Sequence, residues 1–145
     1  MEVLRKSMKI QATKYGQGDA TYKAVGEAEG LLNLVNCFYD HMEVLQEAEV
    51  IRAMHPQDLT VSRDKLYCFL SGWMGGPRLF SEKYGSIAIP RVHAHLPIKQ
   101  EEGDAWLLCM EKALVKLDYP EDFQEYLLEQ LKVPVQRIRQ VCGSN

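Results

Sequence analysis

The stretch Gly75–Met110, GGPRLFSEKYGSIAIPRVHAHLPIKQEEGDAWLLCM, decides how the rest of the chain is read. Gly75-Gly76-Pro77 ends whatever helix precedes it, because glycine accepts the left-handed cap and proline cannot continue the ladder. A loop then runs to about Ile87, long for a compact domain, and such loops are often functional. Pro90 opens a brief helix carrying His93, and Pro97 closes it. From Glu101 to Leu117 the pattern predicts a strong helix, with Ala105, Leu108, Cys109, Lys112 and Ala113 stepping along it and acids in its first turn. A histidine shortly before a helix that bears Trp106 makes a candidate cofactor site. KYGSIAIP is the one strand-like stretch, and it is too short to pair usefully.

Ser62 is the expected N-cap of a helix carrying Leu66, Phe69, Leu70 and Trp73. Before it, Glu47–Met54 reads as a helical turn stopped by Pro56. Leu31, Leu34, Val35, Phe38, Tyr39 and Met42 recur at three- and four-residue steps, one face of an amphipathic helix that begins near Tyr22. Gly26 and Gly30 near its start predict a tight entry turn or a close backbone approach. Residues 1–21 show no clear period and read as a loosely packed extension ahead of a domain spanning 22–145. On the C-terminal side, a last helix runs from about Glu121 to Val141, with Leu127, Leu128, Leu131, Val135 and Ile138 facing inward. Pro134 should kink or split it. The class is all-α, with about six helices and no internal repeat.

At 145 residues the chain is one domain by length, with 46% hydrophobic and 26% charged residues. Its 17 basic and 20 acidic residues give a net charge of -3, which argues against a general nucleic-acid binder. No apolar run is long enough to span a membrane, and MEVLRKSMKIQ lacks the apolar core of a signal peptide. Cys37, Cys68, Cys109 and Cys142 stand far apart, each among apolar neighbours, as buried thiols in a reducing cytoplasm would. No C-x-x-C-H is present to attach a haem covalently.

Taken alone, His93 is a weak signal, since a lone histidine in an apolar setting is more often structural than a ligand. His95 is two residues along and on a helix points elsewhere, so the two do not form a metal grip. Tyr39 and Trp106 each carry a polar handle on an apolar body, and their bland reading is edge-of-core packing. Phe38, Leu66 and Phe69 read as plain core. There is no G-x-S-x-G, H-E-x-x-H or P-loop, so hydrolase and nucleotide chemistry find no support.

Phe38-Tyr39, AMHP, FLSGWMGGP, HAHLPI and DAWLLCM together resemble the group II (O-type) truncated haemoglobins over roughly residues 22–142. The resemblance implies a shortened globin, a two-over-two helical sandwich around a b-type haem (iron protoporphyrin IX). His93, 13 residues before Trp106, matches the proximal histidine that binds the iron. Tyr39 matches the distal tyrosine, and Trp106 the tryptophan whose indole N–H points into the distal pocket. His55 occupies the corner position that is usually aromatic. Ser62 and Leu66 match two distal positions, with Phe69 beyond them on the same helix, and Lys65 matches a basic position facing a haem propionate.

Two departures from the family pattern stand out. Gly26-Glu27 replaces an early Gly-Gly pair, and Val92 replaces an arginine often found before the proximal histidine, with Arg91 beside it. The propionate partner is therefore open. The implied function is reversible binding of O₂ and other diatomics such as CO and NO at haem iron, in oxygen transport or storage. Tyr39, Trp106 and His55 would be donors to the ligand. The alternative is haem-dependent detoxification of reactive nitrogen or oxygen species, peroxidase-like or NO dioxygenase-like. It would need a separate reductase, because the chain holds no flavin or nicotinamide motif. A haem-free helical interaction module is the third class, and His93 argues against it.

Overall fold

The computed structural model describes residues 15–85 and 98–143, with side chains as far as residue 140. The expected brief helix between Pro90 and Pro97, with His93 and His95, lies outside the described residues. Within them every regular element is helical: α1 (Ala20–Val25), α2 (Glu27–Val44), a 3₁₀ turn (Gln46–Ala48), α3 (Glu49–Ala53), α4 (Thr60–Trp73), α5 (Leu79–Tyr84), α6 (Gln100–Lys116) and α7 (Glu121–Gly143). None is long and apolar enough to cross a membrane.

Helix α2 is the centre of the fold. Leu31, Leu34, Val35, Phe38, Tyr39 and Met42, the six residues whose spacing marks its inner face, are all buried. Removing each large apolar side chain from water contributes roughly 2 kcal/mol. One flank of α2 packs on α4 and the other on α6, and α6 in turn packs on α7. Met110 and Leu114 of α6, with Phe123, Leu127 and Leu131 of α7, complete the core. Two helix pairs, α2/α4 and α6/α7, thus stack through the α2–α6 contact, the arrangement of a shortened globin.

The α1–α2 joint is tighter than a loop. Gly26 has φ +104° and Glu27 has φ +59°, so both hold left-handed backbone. Glu27 does so where the resembled family has glycine, at a cost of about 1 kcal/mol. One helical turn on, a Cβ at Gly30 would stand 2.1 Å from the Val25 carbonyl oxygen. That carbonyl also accepts a hydrogen bond from the Tyr119 hydroxyl, which ties the joint to the α6–α7 connection.

Four expectations need correction. Tyr15, expected in a loose extension, is 3% exposed. Its ring packs on Phe123 and Tyr126, and its hydroxyl donates to Asp122 at 2.9 Å. Ser62 is not the N-cap of α4, which starts at Thr60; Asp58 Oδ1 takes the Thr60 backbone N–H at 2.9 Å and its hydroxyl at 2.6 Å. The loop after Gly76 contains a helix, α5, because Leu79, Phe80, Lys83 and Tyr84 fall at helical spacing. Phe80 and Tyr84 meet at 5.2 Å between ring centroids, and Lys83 and Tyr84 both donate to the Asp64 carboxylate on α4. Finally, Pro134 does not split α7. Its ring leaves the Gln130 carbonyl without a helical donor, and Gln130 is exposed, so water can serve instead.

Candidate functional site

The site is built from α2, α4 and α6 with the α3 corner. Tyr39 sits on the inner face of α2, 5% exposed, because its place in the apolar repeat drives it inward. The buried hydroxyl needs a partner and donates to the Ser62 carbonyl oxygen of α4, a long bond at 3.3 Å. Burial pushes the Tyr39 phenol above its ordinary pKa, and nearby Arg63 acts the other way, so the group is a neutral donor at physiological pH.

Aromatic contacts extend from Tyr39 in both directions. Its ring meets His55 edge-on at 5.8 Å and Phe38 at 5.0 Å, and Phe38 meets Trp106 at 4.8 Å. His55, Tyr39 and Trp106, distant in sequence, therefore belong to one cluster, bridged by a phenylalanine that reads as plain core. Trp106 is half-buried, and among the described residues its indole N–H has no partner. His55 Nδ1 lies 2.7 Å from the Ile51 carbonyl oxygen. A carbonyl only accepts, so this contact places a ring proton on Nδ1.

On α4, Ser62, Leu66, Phe69 and Trp73 fall at spacings of four, three and four, one stripe of the helix. All four are half-buried, whereas Leu70 and Met74 beside the stripe are 0% and 2% exposed. Phe69 and Trp73 continue into a cavity of about 420 Å³ shared with Phe80 of α5. Lys65 is exposed at the edge, its ammonium 5.4 Å from the Tyr84 ring centre. An apolar stripe beside a cluster with two neutral donors suits a flat, largely apolar cofactor whose ligand needs hydrogen bonds. The side chains present fit a haem in this respect.

Arg63 links α4 to α2 beside this cluster. It lies near the N-terminus of α4, where the helix dipole disfavours a cation, with Asp64 next to it in sequence. Its partners are on α2: Nη1 donates to the Asn36 carbonyl at 3.0 Å and to Asn36 Oδ1 at 3.1 Å, and Nη2 to Asp40 Oδ1 at 3.0 Å. The described cysteines are poor nucleophiles. Cys37, Cys68 and Cys109 are free, and burial raises each, Cys109 to about 11.

Helices stacked two on two, with a tyrosine–tryptophan cluster whose Tyr39 meets α4 at Ser62, are the arrangement of a small globin. The family model for bacterial-like globins matches residues 20–139. A group 2 truncated haemoglobin from Bacillus subtilis, YjbI, is 33% identical over 115 residues, covering 79% of this chain and 84% of its own. Among solved structures, the group II 2-on-2 haemoglobin of Agrobacterium tumefaciens superposes with a TM-score of 0.77 at 33% identity, over 82% of this chain and 92% of that one. A truncated oxygen-avid haemoglobin from Bacillus subtilis gives 0.74 at 30% identity, over 81% and 97%. The chain belongs to the bacterial-like globin family, with group II truncated haemoglobins among its relatives, and haem-based ligand binding is the family's general activity.

Proposed function

We propose that the protein holds a b-type haem without a covalent link and binds O₂ reversibly, with CO and NO as further ligands. The observation that carries this reading is the paired donor set, Tyr39 O–H on a long 3.3 Å bond and a half-buried Trp106 N–H, joined through Phe38. His93 would hold the iron in this reading, as the family resemblance implies. Leu66, Phe69 and Trp106 would supply apolar walls, and Lys65 a cation for a propionate. Haem, when bound, supplies an iron atom that takes a diatomic ligand.

The chain's own contribution is to exclude water and present donors. Tyr39 turns from the Ser62 carbonyl toward the ligand, an exchange made easy by the weakness of the bond it leaves. Trp106 donates without breaking any bond seen among the described residues. Two such donors slow ligand release, each by about 1 kcal/mol of added stabilisation. The similar truncated haemoglobin from Bacillus subtilis described as oxygen-avid is in keeping with this assignment. The test is to mix reduced, haem-loaded protein with O₂ and then remove the gas. A stable oxygenated spectrum that reverts to the deoxy form is expected; immediate oxidation to the ferric form, with no oxygenated species, would overturn the proposal.

A further inference from the structure

We propose that Arg63 is the positioning residue of the distal site, setting the orientation of Tyr39 from the far side of its ring. The inference rests on the ligand-binding role given to Tyr39 above.

The guanidinium carbon stands 5.6 Å from the centre of the Tyr39 ring, over its face. Its hydrogen bonds reach Asn36, three residues before Tyr39, and Asp40, one residue after it. A single planar fork therefore grips the turn of α2 that carries Tyr39 and covers the ring it presents. The tyrosine's other end is held by Ser62, the residue immediately before Arg63 in α4. Ring face and hydroxyl are thus both fixed by adjacent residues of one helix turn, so any shift of α4 along α2 moves the donor.

The Asp40 ion pair alone does not account for this arrangement. Asp40 is 69% exposed, and an ion pair so open to solvent contributes little. Two of the three hydrogen bonds go to Asn36 instead, one of them to a backbone carbonyl that already belongs to the α2 ladder. A cation placed against the helix dipole and spent on a neighbour's backbone makes sense if what it fixes is a geometry. Lysine could reproduce the charge but not the fork.

The experiment compares wild type, Arg63→Lys and Arg63→Met, each with Tyr39 intact and as Tyr39→Phe. Three quantities are read: the melting temperature of the haem-free protein, the infrared C–O stretch of the CO complex, and the rate of O₂ release. Both Arg63 variants are expected to shift or broaden the C–O band and to speed release about fivefold, the equivalent of about 1 kcal/mol at 1.36 kcal/mol per tenfold. Both effects should vanish in the Tyr39→Phe background. A strut between helices would lower the melting temperature and leave band and rate alone, which would overturn the assignment, as would equal effects with and without the Tyr39 hydroxyl. Arg63→Lys, which keeps the charge opposite Asp40, serves if Arg63→Met folds poorly. Wild-type protein that takes up no haem overturns the haem reading and this one together. Wild-type protein that oxygenates normally, with Arg63 variants unchanged, overturns the Arg63 assignment alone.

Discussion

Replacing Gly30 by alanine should unhinge the α1–α2 joint. The added Cβ would stand 2.1 Å from the Val25 carbonyl oxygen and 2.9 Å from its carbon, both backbone atoms that no rotamer change can move. An ordinary C···O contact is about 3.3 Å, so the joint must open by about 1 Å. Val25 is 1% exposed, and its carbonyl is the acceptor for Tyr119. Opening strands a hydroxyl and a carbonyl at about 1–3 kcal/mol and strains the packing by a similar amount. Against this, alanine gains about 1 kcal/mol in helix propensity over glycine. The net loss is about 3 kcal/mol, which in a chain of this size lowers Tm by roughly 6–12 °C. Circular-dichroism melts at matched haem content measure it. The loss should combine with that of Tyr119→Phe less than additively, since both act on one carbonyl. An unchanged or raised Tm for Gly30→Ala would refute the close approach.

Glu27→Gly acts at the same joint in the opposite sense. Relief of left-handed strain worth about 1 kcal/mol exceeds the extra unfolded-state entropy of glycine, so Tm should rise slightly, while Glu27→Gln should not change it. Asp64 gives a pH test. Hydrogen bonds from Lys83 and Tyr84 hold its carboxyl below the usual carboxylate range. Because the folded value lies below the unfolded one, the stabilisation is complete above about pH 4 and is lost as the pH falls further. Asp64→Asn should therefore melt lower than wild type at pH 7, with the gap closing in acid. A gap that does not narrow at all below pH 4, as far into acid as the protein stays folded, would count against the α4–α5 clamp. Tyr39→Phe removes one of two donors, so O₂ release should quicken about fivefold by stopped flow, and an unchanged rate would show that Tyr39 stays on Ser62.

The inner face of α2 was fully legible, because six apolar residues at helical spacing leave the backbone no other way to bury them. Gly26 and Gly30 were legible too: one supplies the turn, the other the close approach. What escaped was set by partners far along the chain. Helix α5 was masked by the glycines around it, and only Asp64 on the preceding helix shows why Lys83 and Tyr84 face as they do. Tyr15 gave no periodic signal, since what holds it is Phe123, Tyr126 and Asp122 of α7. At the site, spacing alone left Tyr39, His55 and Trp106 as separate bland residues. The family resemblance grouped them, and the aromatic contacts through Phe38 show that they form one cluster. The tautomer of His55 depends on a carbonyl position that no sequence pattern encodes.

The central claim is that this chain holds a haem through His93 beside a tyrosine–tryptophan donor cluster. Its most direct test is a haem titration of the purified protein, wild type and His93→Ala, followed by optical spectra in the ferric state and after reduction with CO. Wild-type protein should saturate at one haem per chain with a sharp Soret band that moves on adding CO, and His93→Ala should lose that band or bind haem far more weakly. Identical spectra and affinities for the two proteins, or no saturable uptake by wild type, would contradict the account.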